Sequence, residues 1–90
     1  MKVHELKIKQ NYCNDIRENN KSFEIRKNDR GFQVGDILHL KVIDEVTEEY
    51  TGFDMFVEVM YIHRGFGLAD GYVCMSIEQV WLYIESEDNK

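Results

Sequence analysis

A chain of 90 residues is limited to one domain, because it buries only about 60 to 65% of its unfolded surface and sustains a single core. With 43% hydrophobic and 12% aromatic residues it carries the apolar mass for that core and is not a disordered chain, except at the acidic end Glu85 to Lys90, which is expected to fray. The formal charge of −6 excludes a protein that covers a broad duplex-DNA groove, since such a domain is basic as a whole.

Along the chain, His4, Leu6 and Ile8 alternate with Glu5, Lys7 and Lys9, the period-two pattern of a half-buried strand. From Gln10 to Glu18 the period changes: Tyr12, Cys13 and Ile16 recur at helical spacing and predict a helix of two to three turns. Asn19 and Asn20 suit its end, because Asn tolerates the left-handed conformation that closes many helices. Strand pattern resumes at Lys21. Phe23 and Ile25 fall on one face, expected to be the core face, and Ser22, Glu24 and Arg26 on the other.

Asn28 to Gly31 and Val34 to Asp36 are predicted turns, and Ile37 to Ile43 a strand with Leu38, Leu40 and Val42 on one face. Glu45 to Gly52 is an acidic connection with its turn at Thr51-Gly52. Phe53 to His63 is the longest predicted strand, with Phe53, Met55, Val57, Val59 and Tyr61 on one side. Arg64 to Gly71, with three glycines, is a loop. Tyr72 to Ile77 and Val80 to Ile84 are the last two strands. The sum is a mixed α+β domain over residues 1–84, with one short N-terminal helix and a strongly bent sheet closing into a small barrel.

Charge is unevenly distributed. Residues 1–42 hold nine Lys or Arg against six Asp or Glu, and residues 43–90 hold two against eleven. Positive charge is local, so a nucleic-acid contact is expected to be small: one nucleotide or a short single strand. Its opposite, the acid-rich stretch Asp44 to Val57, is either a solvated strand edge or an interaction surface for a protein partner. No segment approaches the roughly 20 apolar residues that span a bilayer, and MKVHELKIKQ lacks an apolar run of signal-peptide length. A cytoplasmic protein is expected. Cys13 and Cys74 belong to no CxxC pair and read as two thiols, while His4, His39 and His63 lie one per strand, so no metal site is expected. GFGLADG lacks the strand-to-helix context of a dinucleotide fingerprint.

Asn19-x-Lys21-x-x-Glu24-x-Arg26 resembles the G-x-K-x-x-E-x-R signature of ASCH domains, within the PUA-like superfamily of small pseudo-barrels. More narrowly, HELKI at His4 to Ile8, K-x-F-E-I-R-K-N-D-R at Lys21 to Arg30, F-Q-V-G-D-I-L at Phe32 to Leu38 and G-Y-V at Gly71 to Val73 resemble a bacterial and phage family, domain of unknown function 3850. Asn19 stands where the signature has glycine, and a proline common after the first strand is absent. The resemblance implies a PUA-like fold with a cleft between helix and barrel where the charged signature residues converge.

Glu24 and Arg26 stand two positions apart on one strand face, about 7 Å. A guanidinium fork beside a carboxylate is suited to reading a nucleobase edge or ribose hydroxyls, and Lys21 adds a point charge for a phosphate. The expected ligand-binding set is Lys21, Ser22, Glu24, Arg26, Lys27, Arg30, Phe32 and Tyr72, with Phe32 and Phe66 as candidate stacking rings. The bland alternative for Glu24 and Arg26 is a salt-bridged strand face. The expected function is an RNA- or nucleotide-binding module without cofactor, taking RNA, a nucleotide or a modified nucleoside. The alternatives use the same cleft. In one, as in some ASCH relatives, Lys21 and Glu24 hydrolyse an acyl amide on a pyrimidine nucleoside; in the other, the phosphodiester of RNA is cleaved against Lys21 and Arg26. A phage-type interaction protein is a further alternative. The sequence specifies no oligomeric state.

Overall fold

His4, Leu6 and Ile8 enter the interior from strand β1 (Val3–Lys9), and their alternation with exposed Glu5, Lys7 and Lys9 gives this first strand its two faces. The structure, a computed structural model, describes residues 1–80. Helix α1 (Gln10–Arg17) follows without a break and buries Cys13 and Ile16. Strands β2 (Phe23–Lys27), β3 (Ile37–Ile43), β4 (Tyr50–Arg64) and β5 (Tyr72–Gln79) complete the order. They form one five-stranded sheet, β1-β3-β4-β5-β2, with β1 and β3 parallel and the other neighbours antiparallel.

The concave face carries the core. Leu6 pairs with Leu40 and Ile8 with Val42, Leu38 faces Val57, and Val59 faces Ile77; all are buried, together with Val73 and Met75. The sheet curls until its two edge strands, β1 and β2, stand opposite each other across a seam. Side chains bridge that seam: Arg26 Nη2 donates to the Lys7 carbonyl and Arg30 Nη1 to the Glu5 carbonyl, each at 2.8 Å. The result is a mostly-strand half-barrel with one short helix.

Helix α1 closes through a Schellman motif. Asn19 takes φ 63°, its N–H donates to the Ile16 carbonyl at 3.0 Å, and Asn20 N–H reaches back to Asp15 at 2.8 Å, so the orphan carbonyls of the last turn are satisfied. The next amide, Lys21 N–H, also donates to Asp15 at 3.1 Å. This fixes where Lys21 leaves the helix.

Three expectations are corrected. Phe23 and Ile25 were expected in the core with Glu24 and Arg26 outside, but Glu24 is 3% exposed and Ile25 49%, so the faces of β2 are reversed. Thr51 and Gly52 do not form the acidic turn. They lie inside β4, where Gly52 at φ 93° serves a bulge against β3, and the turn itself is Asp44 to Glu49, held by the Asp44 carboxylate accepting from Val46 and Thr47 N–H. The single face assigned to β4 breaks at a second bulge between Val59 and Tyr61. There Met60 is the extra residue, Ile62 rather than Tyr61 then turns to the core, and Tyr61 and Phe53 are exposed. Val80 follows β5 outside any strand and donates to the Phe56 carbonyl at 3.0 Å. The remainder of the strand expected at Val80 to Ile84, and the acidic tail, lie outside the described residues.

Candidate functional site

At the top of the seam, between α1, β1 and β2, lies a cavity of about 450 Å³ lined by Lys7, Ile8, Lys9, Tyr12, Lys21, Phe23, Glu24, Ile25 and Arg26. Its centre is Glu24. Because Glu24 pairs with Met75 and Arg26 with Val73, both side chains leave β2 toward the concave side, where the core stops at the open seam. One carboxylate oxygen of Glu24 accepts from the Lys21 ammonium and the other from Arg26 Nε at 2.8 Å. The Lys21 ammonium also stands 4.8 Å from the Tyr12 ring centroid and 5.4 Å from that of Phe23, within range of a cation–π attraction. Both oxygens of the Glu24 carboxylate are therefore partnered, and the pair Arg26–Lys7 carbonyl anchors the triad across the seam.

The triad differs from a surface ion pair in its burial: the Glu24 side chain is 4% exposed while Arg26 keeps 25%. A carboxylate so far out of water needs both cations. Arg26 Nη1 makes none of these bonds, and Lys21 and Arg26 both line the cavity, so the site offers donors beside a carboxylate already held by two cations. Tyr12, Phe23 and Ile25 stand around it, each more than two-fifths exposed.

The structure thus brings Lys21, Glu24 and Arg26 together. Arg30 lies further down the same seam, in a cavity of about 390 Å³ that also contains Lys7 and Arg26. Ser22 sits before β2 and is exposed, its carbonyl accepting from Ile77 N–H at 3.0 Å. Lys27 is on the exposed side of β2, opposite Tyr72. Tyr72 lines a separate hollow with Asn28, Arg64 and Gly71. Phe32 is not a stacking platform: it is 2% exposed and meets the His4 ring edge-on at 4.8 Å. Phe66 is open, 94% exposed, on the glycine loop far along the chain from the triad.

Sequence reasoning missed Lys7, Lys9 and Tyr12 as lining residues. The available signal was the lysine alternation of β1, a common feature of edge strands. It also missed two histidine–carboxylate pairs that sequence distance conceals. His4 Nε2 lies 2.8 Å from Asp36 in the interior. Burial pushes the Asp36 carboxyl up, but the His4 ring and the N–H groups of Lys2 and Gln33 outweigh it and hold it below the ordinary carboxylate value. His39 Nε2 lies 2.6 Å from Asp54, and its ring stacks on Phe56 at 4.4 Å. Donation by the Tyr50 hydroxyl, against partial burial, keeps the Asp54 carboxyl low, and the same contact pushes the Tyr50 hydroxyl up.

Cys13 and Cys74 are both free thiols; burial pushes the Cys13 thiol up, opposed by Arg17, whose guanidinium lies 3.6 Å from Sγ. Among the described residues no group of three or more His, Cys, Asp or Glu side chains is placed to hold a metal ion, and no helix is long and apolar enough to cross a membrane.

A family model described as "Domain of unknown function (DUF3850)" matches residues 3–77. The chain belongs to that family. The match runs from the start of β1 nearly to the end of β5 and so includes the whole seam and its triad. No curated protein matches the chain.

Proposed function

We propose that this domain binds a nucleobase, as a nucleotide or within a short single strand of RNA, in the cavity over Glu24. The observation that carries the reading is the reversal of β2. Stability alone favours Phe23 and Ile25 inward and the charges outward; the chain instead buries a carboxylate and leaves two apolar side chains exposed beside it. A buried carboxylate held by two cations beside exposed apolar side chains, all lining one cavity, departs from what packing alone favours and supports a site kept for a ligand.

The chemistry fits a base. A planar heterocycle has two apolar faces for the rim of Tyr12, Phe23 and Ile25, and a polar edge for the guanidinium of Arg26 and the carboxylate below it. The cavity volume of about 450 Å³ lies in the range of small-molecule sites. Four cations and one carboxylate line it, in a chain whose net charge is −6, which supports an electron-rich or anionic ligand. The ASCH-type, PUA-like relationship implied by Lys21-x-x-Glu24-x-Arg26 belongs to the same proposal, supported by the curled sheet and by the helix set at the mouth of the cavity. So does a cytoplasmic location, supported by the two free thiols.

A second reading, hydrolysis of an acyl amide on a pyrimidine nucleoside, is favoured by the direct contact of Lys21 with Glu24. The test of the first reading is a titration of isotope-labelled protein with the common ribonucleosides, their 5′-monophosphates and short oligoribonucleotides. Saturable amide shifts centred on Tyr12 and Lys21 to Arg26 are expected. Silence of those residues across the whole panel would end the nucleobase reading.

A further inference from the structure

Below the Arg26–Lys7 bridge the seam opens again into the second cavity, about 390 Å³, lined by Glu5, Leu6, Lys7, Arg26, Arg30 and Lys41. The two cavities share Lys7 and Arg26. They are consecutive compartments of one groove, divided by a guanidinium. Four of the six lining side chains in the second compartment are cationic, and Glu5 supplies the one carboxylate.

The donors there are held along a line. Arg26 and Arg30 each dock on the β1 edge, on the carbonyls of Lys7 and Glu5, which lie two residues and so about 7 Å apart along the strand. Each guanidinium uses only part of its fork on that carbonyl, and both line the groove. Neither bond is needed for a backbone ladder; they hold two guanidiniums at fixed positions, Arg26 already paired with Glu24 and Arg30 with its charge unneutralised by its acceptor. Arg30 has no carboxylate partner among the described residues, and Lys41 has Glu5 at 4.0 Å. Glu5 is itself 3.9 Å from His39 Nδ1, so the carboxylate is drawn to the β3 side and away from Arg30.

We propose that this second compartment is a phosphate subsite. It receives the phosphoryl group carried by the nucleoside whose base lies over Glu24, with Arg30 and Lys7 as its principal partners and Lys41 as a third, released from Glu5. The ligand of the domain is then a nucleotide or a phosphodiester-linked strand rather than a free nucleoside. This deepens the nucleobase reading and rests on it for the identity of the ligand, while the anion site itself stands on the groove alone.

Affinities of a nucleoside, its monophosphates and a trinucleotide, measured by calorimetry at two salt concentrations, test the proposal with wild type, Arg30→Ala and Glu5→Gln. The phosphate is expected to tighten binding of the wild type about 10-fold, with Arg30→Ala removing most of that increment. Glu5→Gln keeps the backbone acceptor of Arg30 and removes the competing charge, so the increment should grow severalfold. The slope of log K against log salt should fall by about one in Arg30→Ala. Preference for the monophosphate over the trinucleotide marks a terminal phosphate, the reverse a phosphodiester, and either supports the subsite. A phosphate increment that is absent in wild type, or equal in all three proteins, overturns it. Inorganic pyrophosphate separates this outcome from failure of the base site: amide shifts at Glu5, Lys7 and Arg30, lost in Arg30→Ala, sustain the anion site even if no nucleoside binds. Their absence overturns it even if nucleosides do.

Discussion

His4 and Asp36, 32 positions apart in sequence, meet in the interior with Nε2 2.8 Å from Oδ2. The same carboxylate accepts the N–H of Lys2 and of Gln33, each at 3.0 Å, so one side chain ties the start of β1 to the entry of β3. Replacing it by Asn removes the charge-assisted bonds and should cost about 2 to 4 kcal/mol near neutral pH. The pH dependence has a definite sign. The folded Asp36 carboxyl lies below its ordinary 3.8, so its stabilisation is complete above that value and is lost as pH falls through the lower folded one. Denaturant midpoints from pH 6 to 2 should therefore drop steeply below about pH 4 in wild type and less steeply in Asp36→Asn. Parallel profiles would mean the carboxylate is not linked to folding.

Strand β2 predicts a contrast between two apolar residues. Ile25 is 49% exposed and Leu40 fully buried. Ile25→Ala should change stability by less than about 1 kcal/mol, and Leu40→Ala should cost about 2 to 5. Equal losses in urea melts would restore Ile25 to the core and Glu24 to the surface.

That contrast also marks the limit of what the sequence discloses. Alternation located β1, β2, β3 and β5 within a residue or two, because strand period is a local property. It could not say which face of β2 is inward, since a one-residue change of register exchanges the faces, and the usual guide, apolar inward, fails where a carboxylate is neutralised from both sides. The convergence of Lys21, Glu24 and Arg26 was legible because all three lie on one short segment. The contributions of Lys7 and Lys9 were not, because β1 comes to face β2 only once the sheet has curled. Likewise His4–Asp36 and His39–Asp54 depend on pairings between strands, and the Met60 bulge on the conflict of two registers. Phe32 was misplaced for a simpler reason: a glycine neighbour, here Gly31, signals a bend and not whether the next ring lies under or over it.

Asn19 tests how the helix end positions the site. Its φ of 63° is tolerated by Asn and unrestricted for Gly. Asn19→Gly should leave stability within about 1 kcal/mol of wild type and leave the Lys21 amide in place. Asn19→Val should cost about 1 to 3 kcal/mol through strain at that φ and, by loosening the Lys21 to Asp15 hydrogen bond, weaken ligand binding as well. Retention of full ligand affinity in a folded Asn19→Val protein would show that the helix end does not set the position of Lys21.

The roles of Lys21 and Arg26 separate binding from catalysis. Lys21 meets Glu24 as a point charge backed by two rings, whereas Arg26 uses the geometry of its fork, Nε on Glu24 and Nη2 on the Lys7 carbonyl. If the site binds, Lys21→Arg keeps the charge and most of the affinity, while Arg26→Lys loses one of the two anchored contacts and should weaken discrimination between bases by about 1 to 3 kcal/mol. If the site hydrolyses, Lys21 must yield its proton, which an arginine does not do near neutral pH, and Lys21→Arg would abolish turnover of an acylated cytidine-type substrate without unfolding the chain. Turnover of a panel of acylated nucleosides by both proteins, with thermal melts as the control for folding, decides between the two. Absence of turnover in wild type removes the hydrolase reading for those substrates. Turnover that survives Lys21→Arg moves the catalytic role to another residue, with Glu24 the first to examine because it accepts from both cations.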